Sequence, residues 1–220
     1  FGYNDIDTWH KAALGVVEGH IYSRNTNPTV RAFEDKVKEL ENAEAATSFS
    51  SGMAAISNTL GTFLKSEDRV VSIKDSYGGT NVIFNEFLPP LNIDVSLCET
   101  NDHDQITKEI AKGCQVLYLE TPTNPTIKIT DIKKLSAVAK EVGALVVVDN
   151  TFATPINQSP LALGADIVLH SASKYLGGHA DALGGVICGS KKLGEKVYHY
   201  REINGATLPP MDAYSLLRGM

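Results

Sequence analysis

Apolar segments of two kinds alternate along most of the chain, and this alternation limits the possible folds more than any other feature. One kind is a short apolar run typical of a strand, and the other repeats apolar residues at helical spacing with charges between them. Because strands alternate with helices, we predict an α/β fold of three layers, a mostly parallel sheet covered by helices. Strands are predicted at 69–73, 93–97, 116–119, 143–148, 166–169 and 185–188, and helices at about 29–44, 81–87, 103–112 and 131–142.

Composition narrows the range of partners. The formal net charge of −6 argues against nucleic acid or an anionic membrane as a partner. No apolar run approaches the roughly 20 residues of a membrane span, and no signal-peptide pattern opens the chain, so we expect a cytoplasmic protein. Cys98, Cys114 and Cys188 are scattered, which predicts buried thiols rather than disulfides. The histidines show no ligand spacing, and we expect no metal site.

A lysine follows the predicted strand at 166–169, in the run HSASKYLGG at 170–178. A free lysine is almost wholly protonated at neutral pH and is a poor nucleophile. Lys174 leaves a buried strand between hydroxyl groups and glycines, and this placement suits an amine made reactive by desolvation and by its neighbours. The alternative is a surface lysine that opens a turn.

A carboxylate follows the apolar run at 143–148. In open α/β sheets, ligands bind outside the carboxyl ends of the strands, so Asp149 is a candidate site residue, the alternative being an Asp that caps a helix or turn. An amine and a carboxylate at the ends of two strands are what a pyridoxal phosphate enzyme needs. The lysine holds the aldehyde as a Schiff base, and the carboxylate pairs with the pyridine nitrogen.

A phosphate site is predicted where a short strand leads through a glycine into an alanine-rich helix. Backbone amides at the start of that helix, around Ser51, Gly52 and Met53, favour a dianion. Ser171 and Ser173 add hydroxyl donors from the lysine loop. Taken alone, a serine before a helix is also ordinary helix capping.

Six motifs occur in the order typical of one enzyme family. The chain resembles the Cys/Met-metabolism (trans-sulfuration) family of pyridoxal-phosphate enzymes, which includes cystathionine γ-synthase, cystathionine γ-lyase, methionine γ-lyase and O-acetylhomoserine sulfhydrylase. The resemblance runs from about residue 19 to residue 220. It rests on Tyr22-Ser23-Arg24 with Asn27-Pro28-Thr29, Ser51-Gly52-Met53, Tyr77-Gly78-Gly79-Thr80, Glu120-Thr121-Pro122-Thr123-Asn124-Pro125, Val148-Asp149-Asn150-Thr151 and Ser171-Ala172-Ser173-Lys174-Tyr175.

The resemblance implies an aminotransferase-like large domain of fold type I and a role for each matched residue. It makes Lys174, Tyr77 and Asp149 catalytic: the lysine as Schiff-base partner and base, the tyrosine stacked on the ring, and the aspartate at the ring nitrogen. Asn124 is expected near the phenolic oxygen with Glu120 in support, although Glu120 could equally fix the Pro-rich loop. The expected cofactor-binding set is Tyr22, Arg24, Ser51, Gly52, Met53, Tyr77, Glu120, Asn124, Asp149, Ser171, Ser173 and Lys174.

The resemblance also implies an assembly. In this family, residues matching Tyr22 and Arg24 reach the phosphate of the neighbouring subunit, and the guanidinium group offers a planar fork suited to phosphate. We therefore expect at least a homodimer, and a homotetramer as in the family, with the active site shared between subunits. The alternative is an exposed Tyr-x-Arg in a loop.

Domain organisation and reaction follow from the same resemblance. We expect an N-terminal arm and helix at 1–45 and a pyridoxal-phosphate-binding large domain at 46–220. The smaller C-terminal domain of the family, with the arginine for the substrate carboxylate, is expected to be absent. The expected reaction is γ-elimination or γ-replacement on a sulfur amino acid or activated homoserine. Gly79 favours a cystathionine γ-lyase or γ-synthase slightly over a methionine γ-lyase or O-acetylhomoserine sulfhydrylase.

Two other classes of protein are the alternatives. A nucleotide-binding oxidoreductase needs three glycines after its first strand, whereas the segment at 50–53 contains one. An inactive binding or assembly module would fit a chain without the C-terminal domain. That alternative leaves the presence of Lys174, Asp149 and Tyr77 unexplained.

Overall fold

The structure is a computed structural model that describes residues 1–220. Its seven strands are β1 Ala45–Phe49, β2 Arg69–Ile73, β3 Asp94–Cys98, β4 Val116–Glu120, β5 Leu145–Asp149, β6 Ile167–Ser171 and β7 Gly185–Gly189. The α-helices are α1 Ile6–Ala13, α2 Pro28–Leu40, α3 Gly52–Phe63, α4 Gly78–Val82, α5 His103–Ala111, α6 Ile132–Glu141, α7 Thr154–Asn157, α8 Lys191–Asn204 and α9 Pro210–Gly219. A π-helical turn, Ile83–Phe87, continues α4, and short 3-10 turns lie at Pro89–Leu91 and Pro160–Leu163.

All seven strands form one sheet in the order β1-β7-β6-β5-β4-β2-β3. Strands β6, β5, β4, β2 and β3 pair in parallel, whereas β7 pairs antiparallel with both β6 and β1. The predicted mostly parallel sheet is confirmed. The reversed strand β7 was not predicted, because an apolar run has no intrinsic direction. Since β1 and β6 both oppose β7, β1 runs in the same direction as the parallel strands.

Helices cover both faces of the sheet, as predicted. One face packs against α3, the π-helical turn after α4, and α8, with Phe84 and Tyr118 at its centre. The other face packs against α5 and α6 under the middle strands, and against α2 and α9 under β7. Strands β4 and β5 are buried almost throughout, which explains their unbroken apolar runs.

Local signals explain where the helices begin and end. Asn27 caps α2, accepting hydrogen bonds from the amides of Thr29 and Val30, and Pro28 occupies the first turn. This helix was predicted to continue to 44, but it ends at Leu40, and Asn42 then adopts a left-handed φ of 57°. Four helices, α1, α7, α8 and α9, had no prediction.

Helix α2 packs into the large core, with Phe33 and Val37 fully buried beside β7. The division of the chain at 45/46 stays a prediction. Cys98, Cys114 and Cys188 are buried free thiols, as expected. None of the helices combines the length and the apolar character required to cross a membrane.

Candidate active site

The predicted site residues gather at one edge of the sheet. Glu120 and Asp149 are the last residues of β4 and β5 and lie opposite each other in the register of these parallel strands. Ser171 ends the neighbouring strand β6. Ser51 follows β1, which runs in the same direction, so the start of α3 reaches the same edge. Side chains from distant parts of the sequence therefore meet because parallel strands end together.

Asp149 is held by hydrogen bonds from the neighbouring strand β4 and from the residues that follow its own strand. Its Oδ1 accepts hydrogen bonds from the Thr151 amide at 3.0 Å and the Thr151 hydroxyl at 2.5 Å, and its Oδ2 accepts one from the Tyr118 hydroxyl at 3.3 Å. Only 6% of the residue is exposed. Burial raises the pKa of the Asp149 carboxyl, although the hydrogen bonds from Thr151 oppose this shift.

Two of these partners were missed by sequence reasoning. Tyr118 lies in the apolar run of β4, where a tyrosine hydroxyl needs a polar partner once it is fully buried. The Thr151 hydroxyl also accepts a hydrogen bond from the Ser171 amide at 2.8 Å, so it joins the ends of β5 and β6. Both residues carry a recognisable signal, a hydroxyl two positions from a strand-end carboxylate.

Glu120 links two loops at the same edge. Its Oε2 accepts a hydrogen bond from the Tyr77 amide at 2.7 Å, and its Oε1 accepts one from the Asn124 amide at 3.1 Å. Burial and the charge of Asp149 raise the pKa of the Glu120 carboxyl to about 7. Glu120 therefore holds the Pro-rich loop and the backbone before α4 together at one side of the site, and its role toward a cofactor stays a prediction.

Tyr77 lies at the rim, immediately before α4, with 46% of its surface exposed. A Cβ added at Gly79 would lie 2.7 Å from the Met53 sulfur and 3.0 Å from a ring carbon of Tyr77. The tyrosine ring and Met53 therefore approach each other over a glycine backbone. The expected stacking of Tyr77 on a cofactor ring stays a prediction.

The start of α3 lies against the end of β6. A Cβ added at Gly52 would be 2.6 Å from the Cβ of Ser171, and one at Gly185 would overlap the carbonyl of Ser51. Glycine is required at both positions because the backbones approach so closely. The Ser51 hydroxyl caps α3 by accepting a hydrogen bond from the Ala54 amide at 3.1 Å. The first amides of the helix and the Ser171 hydroxyl thus lie side by side.

The lysine turn, Ser171–Lys174, begins at the last residue of β6. The Ser173 hydroxyl accepts a hydrogen bond from the Gly184 amide at 2.9 Å, which ties the turn to the start of β7. Lys174 itself is exposed. The turn carries Lys174 beyond the end of β6, and the expected desolvation of its amine stays a prediction.

Tyr22 and Arg24 lie elsewhere in the chain. The Arg24 guanidinium is 5.4 Å from the centre of the Tyr22 ring, and its Nη1 donates a hydrogen bond to the Glu202 carbonyl at 2.5 Å. Tyr22 is 58% exposed. The hydrogen bond thus attaches the segment to the last turn of α8 rather than to the lysine turn.

The residues at the strand ends fit pyridoxal phosphate. A helix start beside a serine hydroxyl suits a phosphate dianion, because both supply donors. A buried carboxylate with a raised pKa gains from a cationic partner such as a protonated pyridine nitrogen. An exposed amine on the adjacent strand end is open to reaction with an aldehyde.

Comparison with known proteins relates the chain to one enzyme family. A family model described as Cys/Met metabolism PLP-dependent enzyme matches residues 2–220. The cystathionine gamma-lyase of Bacillus subtilis (strain 168) is 45% identical over 216 residues, which are 98% of this chain and 57% of the relative. The L-methionine gamma-lyase of Fusobacterium nucleatum subsp. polymorphum is 45% identical over 205 residues, which are 92% of this chain and 52% of the relative.

A solved structure extends the likeness to the fold. The crystal structure of cystathionine gamma synthase from Xanthomonas oryzae pv. oryzae in complex with aminoacrylate and cysteine matches with a TM-score of 0.92 and 33% identity. The match covers 100% of this chain and 55% of that one, and this chain spans about half the length of the curated relatives it matches. The resemblance and the fold type expected from the motifs are confirmed. This chain belongs to the family of Cys/Met metabolism PLP-dependent enzymes.

Proposed function

We propose that this chain is the pyridoxal-phosphate-binding part of an enzyme that performs γ-elimination or γ-replacement on sulfur amino acids or activated homoserine. The observation that carries the proposal is the placement of Asp149 and the Lys174 turn on the ends of adjacent strands, beside the start of α3. Family membership supports the same chemistry, because the named relatives are cystathionine and methionine lyases.

Each residue at this edge has a physical task in the proposal. When bound, pyridoxal phosphate supplies an aldehyde carbon that bonds to an amine and a ring that accepts electrons from the substrate α-carbon. The amides of Gly52 and Met53 and the hydroxyl of Ser171 bind the phosphate. Asp149 holds a proton on the ring nitrogen, and Lys174 Nζ takes the proton from the substrate α-carbon.

The loops on the other side of the site complete the set. Tyr77 stacks on the ring from the rim and gives a proton to the departing group through its hydroxyl. Asn124 donates to the phenolic oxygen of the cofactor, and Glu120 holds both loops in place through their amides. Ser173 supports the lysine turn through Gly184, so its contribution to phosphate binding is the less direct of the two serines.

The substrate is proposed from the relatives. A cystathionine γ-lyase and a methionine γ-lyase are equally similar to the chain, at 45% identity. A relative from Bacillus subtilis that is 42% identical combines cystathionine γ-synthase and O-acetylhomoserine (thiol)-lyase in its name. We propose a cystathionine γ-lyase or γ-synthase, with methionine γ-lyase or O-acetylhomoserine sulfhydrylase as the alternative. Product analysis with cystathionine, methionine and O-acetylhomoserine distinguishes these activities.

We also propose an assembly and a location. The residues matching Tyr22 and Arg24 serve the phosphate of a neighbouring subunit, which makes the enzyme at least a homodimer and, as a dimer of dimers, a homotetramer. The Tyr22 and Arg24 side chains are exposed, which supports their use on another chain. The adjacent Asn25 anchors the segment to α8 through hydrogen bonds with Tyr198, Arg201 and Glu202. The three free thiols suit a reducing compartment such as the cytoplasm.

Borohydride reduction tests the central claim. The whole protein, incubated with pyridoxal phosphate, is expected to absorb visible light and, after reduction, to carry the cofactor covalently on Lys174. Mass spectrometry of the digested protein locates the adduct. The proposal is wrong if Lys174→Ala takes up the chromophore as well as the wild type, or if the adduct lies on another lysine.

A further inference from the structure

A buried polar cluster lies behind the strand ends that carry the site. Glu41 Oε1 is 2.5 Å from His170 Nε2 and accepts a hydrogen bond from Asn150 Nδ2 at 3.1 Å. Gln158 Nε2 donates hydrogen bonds to Asn150 Oδ1 at 2.9 Å and to the Thr121 carbonyl at 2.8 Å. We call Glu41, His170, Asn150 and Gln158 the Glu41 cluster.

The position of this cluster in the sequence relates it to the site. Asn150 directly follows Asp149 at the end of β5, and His170 directly precedes Ser171 at the end of β6. Glu41 is the residue after the last turn of α2. One oxygen of the Glu41 carboxylate therefore binds a residue at the end of each of these two neighbouring strands.

Stability alone does not account for the cluster. The side chains of Glu41 and His170 are both 0% exposed, and Glu41 Oε2 and His170 Nδ1 are buried without a hydrogen-bond partner. Buried polar atoms without a partner are costly, and a buried ion pair is often no better than apolar residues of the same volume. His170 lies opposite Val186 in the register of β6 and β7, and Val186 and Cys188 belong to the apolar cluster on that face, so apolar residues are tolerated beside it.

The cluster also acts on Asp149 through charge. Burial raises the pKa of the Asp149 carboxyl. Hydrogen bonds from Thr151 and positive charge on His170 both oppose this rise. Glu41 is the carboxylate that pairs with His170. The same two residues thus set both the position of the strand ends and the local field at the candidate partner of the ring nitrogen.

We propose that Glu41 is a positioning residue for the cofactor site, which holds Asp149 and the Ser171–Lys174 turn in register by binding His170 and Asn150 through one oxygen. The inference rests on the proposed function. Glu41 does not touch the cofactor in this proposal and acts through the two strand ends. Replacing it with glutamine keeps the size but weakens both bonds, because a neutral acceptor binds less strongly than a carboxylate.

The test compares Glu41→Gln with Asp166→Asn in the whole protein. Asp166 is a matched control because its Oδ2 accepts a hydrogen bond from the Val146 amide at 2.8 Å and so joins β5 and β6 at their opposite ends. We expect Glu41→Gln to raise the dissociation constant for pyridoxal phosphate about tenfold and to change the pH dependence of the bound cofactor's absorbance. Asp166→Asn should alter thermal unfolding only.

A second pair of variants keeps the test valid if Glu41→Gln fails to fold. His170→Gln places an amide donor within similar reach of Glu41 and should retain most of the cofactor affinity, whereas His170→Ala should lose about tenfold. Equal affinity and equal spectra in Glu41→Gln and Asp166→Asn, or in the two His170 variants, would overturn the inference while the wild type still binds the cofactor. A wild type that binds no pyridoxal phosphate would refute the proposed function itself.

Discussion

The strand-end edge and the N-terminal segment around Arg24 are both assigned to one cofactor, yet they are built differently. At the edge, Asp149 and Glu120 are almost fully buried, and each accepts hydrogen bonds from two residues. In the N-terminal segment, Tyr22 is 58% exposed, and Arg24 donates to a single carbonyl group. A sheet fixes the positions of residues at its strand ends, whereas the positions of side chains in an exposed segment depend on the surface that the segment contacts.

The largest effect is expected at Asp149. Asp149→Ala removes the proposed partner of the ring nitrogen and takes away the carboxylate to which the Tyr118 and Thr151 hydroxyls donate their protons. Breaking a buried charged pair costs about 3–5 kcal/mol, so cofactor affinity should fall by more than about a hundredfold. Titration of the apoprotein with pyridoxal phosphate, followed by absorbance, measures the change. An affinity within threefold (roughly 0.7 kcal/mol) of the wild type would remove Asp149 from the site.

A pH-dependent effect is expected at Glu120. Its folded pKa of about 7 lies above the ordinary value of 4.5, so the folded form binds the proton more tightly than the unfolded form. The stability that this provides is complete below pH 4.5 and is lost as the pH rises through 7. The loss amounts to about 3 kcal/mol at most.

Denaturant unfolding of the apoprotein at several pH values measures this contribution. Glu120→Gln cannot ionise, so it should not share this loss. The difference in free energy of unfolding between the variant and the wild type should therefore shift in favour of the variant as the pH rises. At low pH the variant should be the less stable protein. The side-chain nitrogen of glutamine cannot accept a hydrogen bond, so one of the two backbone amides that donate to Glu120 would lose its acceptor. Parallel pH curves for the two proteins would contradict a raised pKa at Glu120.

A smaller effect is expected at Gly52. The new methyl group of Gly52→Ala would lie 2.6 Å from the Cβ of Ser171, so the start of α3 must move away from β6 at a cost of about 1–3 kcal/mol. Gly78→Ala is the matched control, since Gly78 also begins a helix but has no atom within 4 Å of an added Cβ. Thermal unfolding compares the two. Equal melting temperatures would show that the close approach of α3 to β6 is not required.

The smallest change in stability is expected at Arg24. Arg24→Ala should alter the free energy of unfolding by less than about 0.5 kcal/mol, because the side chain is exposed. Cofactor affinity should nevertheless fall about tenfold if the guanidinium reaches the phosphate of a neighbouring subunit. Arg31→Ala, on the exposed side of α2, serves as the control. Unchanged retention of the cofactor in Arg24→Ala would separate this segment from the site.

Mixing two impaired variants, one that binds the cofactor weakly and one that lacks the lysine, sharpens the same comparison. Oligomers formed from Arg24→Ala and Lys174→Ala chains contain some sites with both native residues, provided that the two residues serve the same site from different chains. Partial recovery of borohydride-fixed cofactor after mixing is then expected. If each site instead takes both residues from one chain, mixing should restore nothing.

Much of the fold was predictable because its signals are local. Strand β2 was predicted with its observed bounds, and α5 and α6 to within two residues, since apolar spacing and capping residues act over a few positions. The end of α2 was missed because the backbone leaves the helical conformation after Leu40, with a left-handed φ of 57° at Asn42. Helices α8 and α9 were missed because the residues that they bury are determined by contacts with the sheet and with α2 rather than by a local apolar repeat.

The sequence by itself determined the class of fold, the family and the candidate site residues, since motifs and apolar spacing are properties of neighbouring positions. The tertiary structure decided which of these residues meet. It placed Asp149 beside Tyr118 and joined Glu41 to His170, 129 positions apart. It also left Lys174 exposed. Such outcomes depend on strand order and on packing between distant segments, and no local pattern encodes either.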